Sequence, residues 1–194
     1  MFNKRETIFT TRSCGTLEEM CHDILVQASG ERLLKIAFFC GASNDSEYLE
    51  ILDTLRSAVD CFFPTDKPLV SYIAQKPGDS QLAAEAIYLT DTGASIEHHE
   101  RYILLSDGTC REIITEGIVP HDISMTAFEQ SMEIFSTISD ILRSNGFVLS
   151  DIYRQWNYIE QITSMHGGSQ NYQEFNDARS RFYGSAQWGN GYPA

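Results

Sequence analysis

Apolar side chains at Leu17, Met20, Cys21, Ile24 and Leu25 recur at the three-and-four spacing of one helical face, and Thr16 with Glu19 supplies a capping box at its start. This first helix stops at Ala28-Ser-Gly30. Leu33 to Cys40 is short, apolar but for Lys35, and bounded by Gly30 and Gly41, the pattern of a buried strand. A second helical face runs through Tyr48, Ile51, Leu52, Leu55, Val59 and Phe62, and Pro64 and Pro68 end it. Strands are predicted at Leu69 to Ala74 and Leu82 to Leu89, joined through Pro77-Gly-Asp79, with an earlier strand near Glu6 to Arg12.

Thr90 to Glu100 is polar and contains Gly93 and the pair His98-His99, so it is expected to be a connector between two units. Beyond it, Arg101 to Ser106 and Arg111 to Val119 form a predicted hairpin around Asp107-Gly108. Phe128, Met132, Phe135, Ile138 and Leu142 mark a long helix that ends at Asn145-Gly146. A strand over Asp151 to Ile162 and a helix over Tyr172 to Tyr183 complete the order. The chain is thus expected to be α+β, with units at 1–92 and 93–194, each a small mixed sheet carrying two helices on one face. Tyr48-x-Glu50-Ile51-x-Asp53 is answered by Tyr172-x-Glu174-Phe175-x-Asp177, which suggests a tandem repeat. The second unit lacks the last strands of the first, so the chain is expected to be truncated. Its open sheet edge would then pair with a partner or a second copy.

Composition narrows the function. With 42% hydrophobic residues among 194, the chain can build a real core. Fourteen basic against 27 acidic residues give a net charge of −13, which argues against nucleic acid, whose binding draws on clustered Lys and Arg. Apolar runs such as Ile36 to Cys40 are far shorter than the roughly 20 residues of a membrane helix, and the first six residues lack the features of a signal peptide. A cytoplasmic protein without membrane partners is expected. Cys14, Cys21, Cys40, Cys61 and Cys110 have neither metal-ligand spacing nor a disulfide framework, and adjacent His98 and His99 lack a suitably spaced third ligand. No metal site or cofactor is assigned.

The candidate chemistry lies near the carboxyl end, where aromatics, amides and arginines concentrate in Tyr153-Arg-Gln-Trp-Asn-Tyr-Ile159 and Tyr172 to Tyr183. On a helix, Phe175, Ala178 and Phe182 form an apolar row, and Asn176, Arg179 and Tyr183 recur on the adjoining face. On a strand, Arg154, Trp156 and Tyr158 share one side. Arginine grips carboxylates through a planar fork at any working pH, so the pattern points to a small anionic ligand. The competing reading is an exposed helix face with surface ion pairs, and an aromatic core with a snorkelling arginine at Trp156.

Tyr153-Arg-Gln-Trp-Asn-Tyr-Ile-Glu160, Asn171 to Gly184 and Asn190-Gly-Tyr-Pro-Ala194 resemble the chorismatases, a branch of the reactive intermediate deaminase (Rid, or YjgF) superfamily. The resemblance implies two tandem Rid-like units and a hydrolase that releases pyruvate from chorismate without metal or organic cofactor. An acid would protonate the enolpyruvyl methylene carbon and water would trap the resulting cation. Arg154 and Arg179 would hold carboxylates, while Tyr158, Asn176 and Tyr183 would shape the pocket. The family's catalytic acid falls beyond Ala194, so no catalytic residue is assigned. Two alternatives remain open: a noncatalytic carboxylate-binding or interaction protein, and an imine deaminase. Against the latter, Pro68-Leu-Val-Ser71 has Val70 where the deaminase arginine would stand.

Overall fold

The computed structural model describes residues 1–11, 15–30, 32–166, 168–189 and 191–193. Arg12, Cys14, Asn190 and Ala194 of the sequence reading lie outside them. The chain is α+β and divides into two compact units, Met1–Gly117 and Ile118–Ala194.

The first unit contains β1 (Lys4–Thr11), α1 (Leu17–Ala28), β2 (Leu33–Phe39), α2 (Asp45–Phe62), β3 (Leu69–Ile73) and β4 (Leu82–Leu89). Three short strands follow: β5 (Ser95–His98), β6 (Tyr102–Ser106) and β7 (Arg111–Thr115). The four-stranded sheet has the order β1-β4-β2-β3. β4 runs antiparallel to both β1 and β2, and β3 is parallel to β2, so the sheet is mixed.

Alternation along β4 explains the layering. Leu82, Ala84, Ala86 and Tyr88 meet Cys21, Ile24 and Leu25 of α1 and Leu52, Leu55 and Val59 of α2 in one core. On the opposite face, Leu89 joins Phe2, Leu34 and Leu69 to pack against Ala94, Ile103 and Leu105. The small antiparallel sheet β5-β6-β7 therefore covers the second face of the larger sheet. Where the sequence pattern places a boundary at 92/93, the chain divides after Gly117. The reason is that Leu34, Leu69 and Leu89 make the other sheet face apolar and need a cover. The expected connector Thr90 to Glu100 likewise contains β5, an edge strand whose alternating exposure hides it in a polar sequence.

Polar groups fasten the layers. Thr16 and Glu19 form the expected capping box on α1, and Asn44 caps α2 by accepting from the Glu47 amide. The Tyr88 hydroxyl donates to the Ala28 carbonyl at 2.7 Å. Buried Glu112 on β7 accepts from the Phe2 amide at 3.1 Å and from Lys4 at 2.5 Å. Lys35 pairs with Glu116 at 2.6 Å.

The second unit contains α3 (Ala127–Ser144), a 3-10 turn at Leu149–Asp151, the two-residue strands β8 (Met165–His166) and β9 (Ser169–Gln170), and α4 (Asn171–Tyr183). Thr126 and Glu129 build a second capping box, and the left-handed residue after α3 is Gly146 at φ 75°, while Asn145 has φ −103°. The strand expected over Asp151 to Ile162 does not form: 152–159 is irregular and a turn follows. Tyr, Trp and Ile favour strands only where a neighbouring strand accepts them. Here Ile152 and Ile159 are drawn individually into the α3–α4 core instead. The two halves of the internal match also differ in setting, since Tyr48 stacks on Tyr72 at 4.9 Å whereas Tyr172 is exposed. No helix among the described residues is long and apolar enough to cross a membrane.

Candidate functional site

Helix α4 is held by its apolar row. Phe175, Ala178 and Phe182 are buried against α3, and Phe182 stacks nearly parallel on Phe135 with ring centroids 4.4 Å apart. Glu174, one turn into α4, accepts from the Phe128 amide at the start of α3, at 3.4 Å. On the adjoining face, Asn176 and Arg179 contact each other and Tyr183 reaches the irregular segment 152–159 through Gln155.

Arg179 is fixed from two sides. Its Nη2 donates to the Asn176 side-chain carbonyl at 2.8 Å, and its guanidinium carbon lies 5.4 Å from the centre of the Phe175 ring. It makes no ion pair with any described residue. Tyr183 is buried, and its hydroxyl donates to Gln155 Oε1 at 2.7 Å. Burial pushes the Tyr183 phenol above its ordinary range, with the charge of Arg179 opposing the shift. At neutral pH Tyr183 is therefore a hydrogen-bonding phenol.

An aromatic wall continues from Tyr183. Trp188 meets it edge-on at 5.0 Å and donates its indole N–H to the Tyr183 carbonyl at 2.8 Å, while Tyr192 stacks on it at 5.2 Å. The structure thus gathers Asn176, Arg179 and Tyr183 with Gln155, Trp188 and Tyr192. Gln155 was not singled out by the sequence, because its side chain shares no parity with Arg154. Only the bond to Tyr183 marks it.

Arg154 and Tyr158 stand apart from this group. Arg154 is exposed, with its guanidinium 4.7 Å over the Trp156 ring, and Tyr158 is 64% exposed. Their shared parity does survive in the contact between residues two apart. Without a sheet to orient it, however, that side of the segment faces solvent. The aromatic-core reading of Trp156 fails for the same reason, as its ring is 62% exposed.

The chemistry on offer is recognition. A guanidinium has five N–H donors, and Asn176 engages one group of Arg179, which leaves donors for a carboxylate. The carboxylates of these two segments are engaged elsewhere: Asp177 by Gln173, Glu174 by Phe128 and Glu160 by Gln161. His98 Nδ1 lies 2.8 Å from the Lys67 carbonyl, and His99 stacks on Tyr102 at 4.2 Å. Among the described residues no cluster of three His, Cys, Asp or Glu could hold a metal ion. No protein-family model matches the chain, and no curated protein or solved structure matches it significantly.

Proposed function

We propose that the second unit binds a small cyclic carboxylate on the face of α4, with Arg179 as its anion anchor, Asn176 as the group that orients the anchor, and Tyr183 as the ring-facing wall. The observation that carries this reading is Arg179 itself. In a chain with 27 acidic and 14 basic residues, a guanidinium oriented by an amide carbonyl and free of any described carboxylate is set up for an external anion. Among such ligands, the resemblance of residues 153–160 and 171–184 to chorismatases selects chorismate, hydrolysed with release of pyruvate. The tandem Rid-like architecture belongs to the same proposal. It is supported by the first unit's mixed sheet with two helices on one face.

Calorimetric titration of chorismate tests the site. Arg179→Ala should weaken binding by about 10- to 150-fold, since a charge-assisted hydrogen bond contributes roughly 1.5–3 kcal/mol. Arg179→Lys should recover only part of that loss, because lysine lacks the planar fork. Unchanged affinity in Arg179→Ala would remove the assignment. A coupled pyruvate assay then separates hydrolysis from the second reading, a noncatalytic carboxylate-binding protein. The engagement of Glu160 and Glu174 by other groups favours that second reading. Binding without pyruvate release would establish it.

A further inference from the structure

The first unit carries an unexplained feature on the outer side of its helix layer. β1 and β2 both run antiparallel to β4, and β3 is parallel to β2, so α1 and α2 each link parallel strands and run side by side in the same direction. Between them lies an open groove of about 770 Å³. Half-buried Ala58 and Phe62 supply its accessible apolar surface above the buried Leu25, His22 of α1 meets the Phe62 ring edge-on at 5.7 Å, and Thr54 and Ser57 keep the wall low. An incoming backbone can approach closely where side chains are this small.

Charge selects the occupant. Helix α1 carries Glu18, Glu19 and Asp23 with no Lys or Arg, and α2 carries five carboxylates against the single base Arg56. Arg56 is turned away to the Gly117 carbonyl at 3.3 Å. Glu18 and Asp53 line the groove itself. Such a surface repels nucleic acid, anionic lipid and a second copy of the same helix layer. A small cation would leave the apolar floor uncovered.

We propose that this groove docks a basic amphipathic helix of a partner protein, its apolar stripe on Ala58 and Phe62 and its Lys or Arg flanks against Glu18 and Asp53. The groove follows α1 from Glu18 to Leu25, about 10 Å or two helical turns, which suits anchors at positions i, i+4 and i+7.

The test uses the whole chain and a fluorescent, 18-residue Leu/Lys amphipathic peptide, with a scrambled peptide of identical composition as its control. The patterned peptide should bind at least about tenfold more tightly than the scrambled one, because only the pattern presents an apolar stripe. Ser57→Trp places an indole in the groove from an exposed position and should cost about tenfold or more in affinity. Asp53→Lys, a surface change that leaves the core alone, should weaken binding and flatten its salt dependence. Equal affinity for the two peptides would overturn the proposal. So would unchanged affinity in Ser57→Trp, or amide shifts on peptide addition that fall outside α1 and α2.

Discussion

Gly117 has φ +62°, and a β-carbon built there would lie 2.0 Å from the Val70 carbonyl oxygen and 3.0 Å from its carbon. Both obstacles are backbone atoms of β3, so no side-chain rotation can relieve them. For Gly117→Ala, the left-handed conformation costs about 1–2 kcal/mol. Shifting packed backbone to admit the methyl group costs about 1–3 kcal/mol more. The shift also strains the flanking ties, Lys35 to Glu116 and Arg56 to the Gly117 carbonyl. A total loss of about 2–5 kcal/mol follows, which moves a urea midpoint down by roughly 1–2 M at ordinary denaturant slopes. Gly93→Ala is the control, because nothing lies within 4 Å of the added atom and its φ is not positive. Its effect should stay within about 1 kcal/mol. Far-ultraviolet circular dichroism follows the whole chain, whereas Trp156 and Trp188 both belong to the second unit and report on it alone. A Gly117→Ala midpoint equal to that of Gly93→Ala would refute the argument.

Glu85 gives a pH-dependent prediction. Burial raises its carboxyl above the usual range, Lys35 opposes the shift, and Glu6 and Glu116 add to it. The folded state thus holds this proton to higher pH than the unfolded chain, so ionisation lowers stability as pH rises past the ordinary glutamate value of about 4.3. Glu85→Gln should unfold at a higher temperature than the parent protein at neutral pH, with the advantage disappearing below about pH 4. A difference independent of pH would contradict this origin. Cysteine labelling gives another prediction. Burial, with smaller contributions from Cys40 and Glu18, pushes the Cys21 thiol up to about 12, and burial also raises Cys40. Cys61 and Cys110 are exposed. In the native protein a thiol reagent should modify Cys61 and Cys110 first, leaving Cys21 and Cys40 until unfolding, as peptide mass spectrometry would read out. Early loss of the Cys21 thiol would mean that the α1 face is open.

The local elements were legible because their causes are local. Leu17 to Leu25 and Phe128 to Leu142 declare helices through spacing, and Thr16 with Glu19 declares where one begins. Leu33 to Phe39 and Leu82 to Leu89 declare buried strands as short apolar runs between breakers, each interrupted by one charged residue, Lys35 and Glu85. The row of Asn176, Arg179 and Tyr183 on one helix was readable for the same reason, since a period of 3.6 residues fixes which side chains are neighbours. What spacing cannot specify is the surface that covers a face. The aromatic alternation of 153–159 promised a strand, but a strand requires a distant partner, and none is paired with it. Arg154 and Tyr158 consequently left the group that Gln155 joined. Likewise, β5 to β7 close the first unit because Phe2, Leu34, Leu69 and Leu89 converge from four separate places in the chain onto one face. Propensity and periodicity act over a few residues, whereas strand pairing and burial are settled between segments far apart in sequence, so the elements came from the chain itself and their partners from its tertiary fold.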